Sequence, residues 1–419
     1  MAKRKRFTGI RELLTLAPTG DTPDERLGLI RDGVVDCDAQ GRVSWTGAAS
    51  DAPSNPELEV VDLGGAVVLP GLVDAHTHIV FGGDRTADFA SRCEGVSYEE
   101  VARRGGGIRL TVRETRAASR DQLTALALAR LEDLIAHGAT TVEIKSGYGL
   151  SFEDELKILE VIARLQEVSP ARIIPTLLAA HIVPDEFRDD RTAYVNMIVD
   201  ELVPEVTSRG LAEHIDVFCE VGAFTVDEAL RILDAGRDRG LGLKVHGEQL
   251  SHTSISSEAA RMGALSVDHC EYLSAADIEV MAEHDTAAVL LPGASLFLGD
   301  HERAPARALL DAGVRVALST DCNPGTSPTR HLTLMGTLGC TMLGMAPHES
   351  VEALTSHGAH ALGLKDGTGT LSVGAPCDLA VSDAQGWRSL SYAFAARPIR
   401  EVWIAGERVA FRGGPAHAA

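Results

Sequence analysis

Two histidines separated by a single residue, His76 and His78, close an apolar stretch near residue 70. Side chains alternate between the two faces of a β-strand, so residues two positions apart point the same way. Two imidazoles that converge in this manner can bind one metal ion. Pro70 and Gly71 interrupt the stretch, so the strand that carries the pair is expected to begin at Leu72. The alternative is a chance pair among 15 histidines, and ligands elsewhere in the chain must decide.

The composition excludes several classes of function. The chain has 419 residues, 45% of them hydrophobic and 24% charged, as in ordinary globular proteins. A formal net charge of −21 argues against nucleic acid or an anionic membrane as the main partner. No long apolar run predicts a membrane span, and no apolar stretch follows the basic start to suggest a signal peptide. Seven scattered cysteines without a C-x-x-C pair fit free thiols in a reducing cytoplasm.

Short apolar runs recur along the chain and predict eight buried strands. After the first, at Leu72, these runs are Thr140–Leu150, Arg172–His181, His214–Gly222, Leu241–Gln249, Ala264–Glu271, Ala287–Ser295 and Val314–Gly325. Segments with helical spacing lie between most of them, with an N-cap at Ser151, a capping box of Thr225 and Glu228, and a helix end at Gly138. The alternation predicts a parallel (β/α)8 barrel of the TIM type. An open doubly wound sheet is the main alternative, although no G-x-G-x-x-G follows the first strand.

The two ends of the chain have a different pattern. Residues up to about 65 contain two strand-like runs joined by a turn at Gln40 and Gly41, and residues after about 370 repeat a strand–turn–strand pattern. We therefore expect the two ends to pair into one small β-sandwich domain. The predicted division gives residues 1–66 and 367–419 to this composite domain and residues 67–366 to the barrel.

Residues that can bind metals or move protons stand at the ends of several predicted strands. His181 ends the third strand, His246 the fifth, His269 the sixth and Asp321 the eighth. The carboxyl ends of the strands of a parallel barrel meet at one rim, where active sites are built. A single histidine at a strand end is usually structural, but chance does not readily explain such residues on five strands. The sequence therefore predicts a polar cluster at this rim, shared with the His-x-His pair.

Three imidazoles and a carboxylate, from His76, His78, His246 and Asp321, form a ligand set that suits zinc or iron. Such an ion lowers the pKa of a bound water from about 15.7 to about 7, which is the chemistry of hydrolysis. A second metal would need a bridging ligand, often a lysine on the fourth strand. That strand offers only Glu220 at its end, so one Zn²⁺ or Fe ion per chain is expected.

Proton transfer requires further groups. Asp321 can take a proton from the attacking water, and His269 can act as a general acid or base. A deaminase usually has a glutamate three residues after the fifth-strand histidine, but this chain has Gln249, which cannot shuttle a proton. Glu248 stands one place early and is expected to face away. This pattern counts against a deaminase without excluding one.

Arg85 and Tyr148 follow predicted strand ends and are candidates for substrate binding. An arginine and a phenol at the rim can hold a carboxylate through charge-assisted hydrogen bonds. A surface arginine and a packed tyrosine are the structural alternative.

The motifs LPGLVDAHTH and STDCNPG, together with the histidines of the fifth and sixth strands, resemble the amidohydrolase superfamily. Within it, FGGDR, EIKSGYGL, LAAHIVP, DVFCEVGAF and STDCNPGTSP are similar to the imidazolonepropionase family, and the resemblance covers Val67 to Pro328. It implies a (β/α) barrel with a β domain from both chain ends. It also implies hydrolysis of the cyclic amide of 4-imidazolone-5-propanoate to N-formimidoyl-L-glutamate, a step in histidine degradation.

The resemblance also implies roles for individual residues. It places the metal on His76, His78, His246 and Asp321 and an oxyanion beside His181, and it leaves proton transfer to His269 and Asp321. The other implied contacts to substrate or product are Arg85, Tyr148, His181, Thr326, Asn323 and Gly325, with Gln249 as a hydrogen-bond partner. A small-molecule substrate, a homodimer and a cytoplasmic location complete the expectation. Two alternatives stay open, a deaminase of a nitrogen heterocycle and an inactive barrel that serves as a scaffold, although such scaffolds typically lose ligands that this chain retains.

Overall fold

The computed structural model describes residues 4–96, 100, 105–299 and 301–412. The strands of this part of the chain are β1 (Lys5–Leu14), β2 (Leu29–Cys37), β3 (Val43–Ala48), β4 (Glu59–Pro70), β5 (Leu72–Asp74), β6 (Ala139–Lys145), β7 (Arg172–Ala180), β8 (His214–Cys219), β9 (Gly242–Gly247), β10 (Ser266–His269), β11 (Ala287–Leu290), β12 (Val316–Leu318), β13 (Leu379–Ser382), β14 (Ile399–Ile404) and β15 (Glu407–Phe411). Its α-helices are α1 (Pro23–Arg26), α2 (Thr86–Cys93), α3 (Ile108–Ala117), α4 (Arg120–Ala136), α5 (Phe152–Val168), α6 (Arg191–Asn196), α7 (Val203–Ser208), α8 (Val226–Arg237), α9 (Ile255–Arg261), α10 (Ala275–Glu283), α11 (Pro292–Leu298), α12 (Ala306–Asp311), α13 (Leu332–Met342), α14 (Pro347–Ala353), α15 (Ser356–Ala361) and α16 (Ser389–Tyr392). Short 3₁₀ turns cover Ala49–Asp51 and Asp185–Phe187, and a π-helical turn covers Met197–Leu202.

Strands β5 to β12 form one parallel sheet in chain order, with eight strands in the described residues. The sheet closes beyond β5 and β12, where the backbone N–H of His78 donates to the carbonyl of Cys322 (3.0 Å) and that of Asp321 donates to the carbonyl of His76 (3.1 Å). Helices separate successive strands along most of the chain. The prediction of a (β/α)8 barrel is confirmed, and the open doubly wound sheet is excluded.

The predicted helix ends agree with the local hydrogen bonds. Ser151 caps α5 by accepting from the backbone N–H of Asp154, and Thr225 and Glu228 form the capping box of α8. Gly138 follows α4 with φ +108°, a conformation that a side chain would strain. Ser151 and Thr225 thus set where α5 and α8 begin, and Gly138 lies between the end of α4 and the start of β6.

Both ends of the chain contribute to a second sheet, which has the order β3-β2-β1-β4-β13-β14-β15 in the part of the chain described. Only the β1–β4 pair among these neighbours is parallel. The sheet curls so that β3 contacts the segment leading into β13, since the N–H of Val43 donates to the carbonyl of Ala375 (2.9 Å). A shared apolar core, which includes Phe7, Leu379 and Trp403, lies inside the curl. The composite β unit is confirmed, and the domain boundaries at residues 66/67 and 366/367 stay a prediction.

β4 ends at Pro70 and β5 begins at Leu72, so the chain passes directly from the terminal sheet into the barrel at the predicted residue. The seven cysteines are free thiols, as expected. Of the helices described, none is long and apolar enough to cross a membrane.

Candidate active site

The residues predicted to cluster do lie at one rim of the barrel. His76 and His78 follow β5, His181 follows β7, and Asp321 lies just beyond β12. His246 is the second-last residue of β9, and His269 is the last residue of β10. Each of these residues lies at the carboxyl end of its strand, since in the sequence it comes at or after the end of an apolar run. Because the strands are parallel, all of these ends meet at the same rim.

Four side chains converge on one point at this rim. The Nε2 atoms of His76 and His78 are 3.1 Å apart, and those of His78 and His246 are 3.5 Å apart. Oδ1 of Asp321 lies 3.5 Å from Nε2 of both His76 and His78. All four residues are at most 3% exposed. His76, His78 and Asp321 are close enough to share one ion, and His246 adjoins this group through His78.

Hydrogen bonds behind the cluster fix the tautomers of two of the histidines. Nδ1 of His76 donates to Asp268 (2.6 Å), and Nδ1 of His246 donates to Asp216 (3.0 Å). A carboxylate accepts at each Nδ1, so each Nε2 presents a lone pair towards the common point. Such carboxylate–histidine pairs orient imidazoles that bind metal ions.

The donor set fits a divalent metal ion. Ligand atoms about 2.1 Å from a tetrahedral ion lie roughly 3.4 Å from one another, close to the separations observed between Nε2 and Oδ1 atoms here. Lone pairs at this spacing repel each other unless a cation or a proton lies between them. Nδ1 of His78 has no hydrogen-bond partner among the described residues, so no contact there fixes the tautomer of that ring. Three imidazoles and a carboxylate match the ligands of zinc and of ferrous iron.

Burial controls the protonation of these groups. It lowers the pKa of His76 and of His78 well below the ordinary value, so both rings are neutral, the form that binds metals. Burial raises the pKa of Asp321 to about 8, although hydrogen bonds from Asn323 and Thr326 oppose this effect. A cation at the common point would favour the ionised Asp321 carboxylate, so the protonation of the histidines and of Asp321 is coupled to metal binding.

A buried charged network lies beneath the cluster. Nζ of Lys145 lies 2.6 Å from Glu143, 2.7 Å from Asp216 and 3.5 Å from Asp268, and all four side chains are fully buried. Burial alone would raise the pKa of Asp216, but the adjacent His246 imidazole, which donates to it, and the Lys145 ammonium outweigh burial and hold that pKa well below its usual range. Burial alone would lower the pKa of Lys145, but the carboxylates raise it above its ordinary value. The network therefore holds Lys145 as a cation and Asp216 as an anion.

A cavity of about 800 Å³ opens above the four converging residues. Besides His78, His246 and Asp321, its wall contains the predicted residues Arg85, Tyr148, His181, Gln249, His269, Asn323, Gly325 and Thr326. The structure thus brings every predicted substrate residue to the same cavity. A cavity of this size holds a small metabolite.

Arg85 and Tyr148 form a polar wall of the cavity. The guanidinium of Arg85 is hydrogen-bonded through Nε to Asp88, which also accepts from the backbone N–H of Gly107 (2.9 Å). The ring of Tyr148 lies 5.4 Å from that of His181, and burial raises the pKa of its phenol well above the ordinary value. A neutral phenol and a guanidinium are both donors, which suits a carboxylate of a ligand.

His181 has a defined tautomer. Its Nδ1 lies 3.0 Å from the carbonyl of Gly147, which can only accept, so Nδ1 carries the proton. Burial lowers the pKa of His181 to about 3, which leaves the ring neutral. Nε2 is therefore an acceptor towards the cavity. The neutral ring does not supply the donor that an oxyanion beside His181 would need.

The loop after β12 is organised by Asn323. Its side-chain amide donates to the carbonyl of Asp321 (2.7 Å), and its Oδ1 accepts from the backbone N–H groups of Gly325 and Thr326 (2.8 Å each). The hydroxyl of Thr326 lies 3.4 Å from Oδ2 of Asp321. Asp321 itself has φ +50°, in the left-handed region that is sparsely used by non-glycine residues. Asn323 therefore shapes the loop that presents Asp321, and its contact with a product stays a prediction.

Two neighbouring residues in the loop after β9, Glu248 and Gln249, differ in whether their side chains line the cavity. Glu248 is fully buried, and its carboxylate accepts from the backbone N–H of Thr253 (2.7 Å) and from Ser256 Oγ (3.1 Å). It therefore faces away from the cavity, as expected, whereas Gln249 lines it. Glu220 accepts from the N–H of Leu250 (2.8 Å) and so anchors this loop instead of pointing at the four converging residues.

His269 completes the polar wall. It has φ +83°, another left-handed position, and its ring lies 5.4 Å from that of His246. Nδ1 of His269 has no hydrogen-bond partner among the residues described, and the nearest carboxylate oxygen, on Glu271, is 3.9 Å away. His76, His246 and His269 also form a second group close enough to share an ion. The ring can therefore contact either a ligand in the cavity or the metal.

The sequence reasoning missed the residues beneath the cluster, namely Glu143, Lys145, Asp216, Lys244 and Asp268. Their signal was present, because each is a charged residue inside an otherwise apolar strand. Lys244 and His246 alternate on β9, and Glu143 and Lys145 alternate on β6, so each pair points to one face.

Comparison with known proteins agrees with this architecture. Residues 67–409 match the amidohydrolase family. The imidazolonepropionase of Caulobacter vibrioides is 45% identical over 392 residues, which is 93% of this chain and 96% of that protein. The imidazolonepropionase of Deinococcus deserti is 45% identical over 412 residues, or 96% of this chain and 99% of that protein.

The fold also has solved counterparts. A variant of a triazine hydrolase superposes with a TM-score of 0.75 and 18% identity, over 100% of this chain and 97% of that one. At this level of identity the likeness supports the fold alone, and it covers both the barrel and the terminal sheet.

Proposed function

The chain belongs to the amidohydrolase family and, within it, to the imidazolonepropionases, and from this premise we propose its reaction. It hydrolyses the cyclic amide of 4-imidazolone-5-propanoate to N-formimidoyl-L-glutamate, a step of histidine degradation. The observation that carries the proposal is the convergence of three histidine nitrogens and one carboxylate oxygen under a cavity of metabolite size.

One zinc or iron ion per chain is proposed to bind His76, His78, His246 and Asp321. When bound, such an ion lowers the pKa of water and polarises a carbonyl. The residues themselves prepare this position: the Asp216 and Asp268 carboxylates turn two Nε2 lone pairs inward, and Asn323 orients the loop that carries Asp321.

Arg85 and Tyr148 are proposed to anchor the propanoate arm of the substrate. Both present donors on the same cavity, and Asp88 holds the Arg85 guanidinium from behind. Fixing the arm places the ring over the four ligands, which is positioning work. His181, whose Nε2 is an acceptor, is proposed to receive a hydrogen bond from a ring N–H of the substrate. Gln249 offers an amide to the same ligand.

Proton transfer is assigned to Asp321 and His269. Oδ1 of Asp321 faces the histidines and Oδ2 faces Thr326, so a second carboxylate oxygen is available for a proton from the attacking water. His269 lies across the same wall, and burial lowers its pKa well below the ordinary value, so the resting ring is neutral. It is proposed to relay the proton taken up by Asp321 to the departing ring nitrogen. The bond between that nitrogen and the ring carbonyl breaks, and the carbonyl carbon becomes the α-carboxylate of the product.

We also propose that each chain consists of the two domains predicted above. The chains are proposed to form a homodimer in the cytoplasm. The seven free thiols and the negative net charge support an intracellular, small-molecule enzyme. Nucleic acid and membrane are not proposed as partners.

We expect the purified protein to convert freshly made 4-imidazolone-5-propanoate to a product that has gained one water and released no ammonia. Separation of the reaction mixture and identification of N-formimidoyl-L-glutamate is the measurement. A panel of amino-substituted nitrogen heterocycles serves as the control, because a deaminase would release ammonia from one of them. Ammonia release from the panel, without ring opening of the imidazolone, would contradict the proposed reaction.

A further inference from the structure

Lys145, the last residue of β6, lies directly beneath the four converging residues without reaching the cavity. Its side chain is fully buried and is surrounded by acidic groups. Glu143, Asp216 and Asp268 all lie within 3.5 Å of its Nζ, and their side chains are fully buried as well. The proposed function gives roles to Asp216 and Asp268 but none to Lys145 or Glu143. A buried lysine with three acidic neighbours therefore needs an explanation of its own.

Two of those neighbours are the carboxylates that orient metal-binding imidazoles. Asp216 uses Oδ2 to accept from Lys145 (2.7 Å) and Oδ1 to accept from His246 (3.0 Å). Asp268 uses Oδ2 for His76 (2.6 Å), and the same oxygen lies 3.5 Å from Lys145. Lys145 thus bridges the partners of two histidines that come from different strands.

The other buried lysine of the network does not make this bridge. Nζ of Lys244 donates to Ser266 (2.7 Å) and lies 3.4 Å from Asp268. Lys244 therefore contacts Asp268 alone of the two aspartates, whereas Lys145 contacts both Asp216 and Asp268.

The backbone of Lys145 supports the same region. Its N–H donates to the carbonyl of Thr77, the residue between His76 and His78, at 2.9 Å. The hydroxyl of Thr77 donates to the carbonyl of Glu143 (2.7 Å). These backbone contacts persist when the Lys145 side chain is replaced, so a side-chain variant isolates the ammonium.

We propose that Lys145 is a positioning residue that sets the affinity and geometry of the metal site by holding Asp216 and Asp268 against His246 and His76. This inference rests on the proposed function, because it takes those histidines as metal ligands. Without the ammonium, two buried carboxylates lose their common cation and turn away or rearrange. The imidazoles then lose the acceptors that aim their Nε2 atoms at one point.

The test is Lys145→Met, with zinc affinity measured on the purified protein by competition with a chromophoric chelator. We expect the dissociation constant for zinc to rise about 10- to 100-fold, the range found when partners of ligating histidines are lost. The visible absorption of the cobalt(II)-loaded variant is expected to differ from that of the parent protein, because it reports the geometry of the ligands. Neither readout depends on turnover.

Lys5→Met is the matched control. Lys5 is also a buried lysine paired with a carboxylate, Glu407 (2.6 Å), but it lies in the terminal sheet. We expect it to lower the melting temperature without changing zinc affinity or the cobalt spectrum. The double variant Lys145→Met/Asp216→Asn is expected to weaken zinc binding by less than the product of the two single effects, because both act on His246.

Parent-like zinc affinity and cobalt spectrum in Lys145→Met would overturn the inference. If that variant does not fold, Lys145→Gln, which keeps a hydrogen-bond donor, is measured in its place, and weaker zinc binding supports the inference while unchanged binding overturns it. Failure of the proposed function is distinguishable, because the parent protein would then bind no metal or would leave 4-imidazolone-5-propanoate intact.

Discussion

Replacement of Asp321 by asparagine is expected to lower kcat for 4-imidazolone-5-propanoate by about 10³-fold or more, because a metal ligand and a proton acceptor are lost together. Oδ1 of Asp321 lies 3.5 Å from the Nε2 atoms of both His76 and His78. An amide oxygen is a weaker ligand than a carboxylate, and it cannot accept a proton from water. The measurement is kcat together with bound metal, determined on the same preparation.

The fold is expected to tolerate this change. Asn has the shape of Asp, and the hydrogen bonds that shape the loop are made by the side chain of Asn323 with backbone groups. Because burial raises the pKa of Asp321 to about 8, the metal-free carboxyl is mostly protonated at neutral pH, so the neutral amide leaves the buried charge unchanged. We therefore expect the metal-free variant to be as stable as the metal-free parent in thermal unfolding.

Asp378→Asn is the control for this prediction. Asp378 directly precedes β13, accepts from the backbone N–H of Ala405 (2.8 Å) between β14 and β15, and does not line the cavity. The same chemical change there is expected to leave metal content and kcat within about twofold of the parent, as for ordinary positions away from a site. Activity of Asp321→Asn close to that of the parent would show that this carboxylate neither binds the metal nor accepts the proton.

Replacement of His269 by glutamine is expected to lower kcat by about 10²- to 10⁴-fold while the protein retains its metal. The ring lines the cavity, and its Nδ1 has no hydrogen-bond partner in the part of the chain described, so it is available to a ligand. Glutamine preserves a hydrogen-bonding group of similar length but cannot donate and regain a proton. The loss should therefore appear in kcat more than in KM.

Metal content decides between two roles of His269. His76, His246 and His269 are close enough to share an ion, so the ring could instead be a ligand. A proton donor leaves about one metal per chain after its replacement, whereas a lost ligand lowers that number. His331→Gln is the control, because His331 is a partly buried histidine that pairs with His137 and does not line the cavity. Loss of metal from His269→Gln, but not from His331→Gln, would contradict the proton role.

The fold was predictable because two periodicities agree along the chain. Apolar runs of strand length alternate with capped helices, and this pattern predicts a parallel sheet covered by helices, with the barrel favoured over an open doubly wound sheet. The strand at Leu72 was placed correctly since Pro70 cannot donate within a sheet and ends β4. The pairing of the chain ends was predictable as a β unit, whereas the curl that brings Val43 to Ala375 depends on contacts distant in sequence.

The converging residues were predictable for a topological reason. In a parallel barrel, a residue that follows its strand must lie at the carboxyl rim, so position relative to an apolar run is enough to group His76, His246 and Asp321. The position of each residue along its strand then decides how deep its side chain lies in the barrel. Glu248 was expected from its position to face away, and its hydrogen bonds with Thr253 and Ser256 agree with this, while Gln249 lines the cavity.

The network beneath the cluster could not be assembled from the sequence. Strand alternation places Lys145 and Asp216 inside the barrel, but which charges meet depends on the stagger of strands that do not neighbour each other. Lys145 on β6 contacts Asp216 on β8, with β7 between them. The tautomer of His181 was equally hidden, because it follows from one contact with the carbonyl of Gly147.

Titration of metal-free protein with zinc or ferrous iron, with hydrolysis of 4-imidazolone-5-propanoate followed at each step, tests the central claim most directly. We predict negligible formation of N-formimidoyl-L-glutamate in the chelated protein. Added metal should restore activity in proportion to the metal bound, up to a plateau at about one ion per chain, because one set of four ligands converges at the rim. Full activity in protein shown to be free of metal would contradict the account.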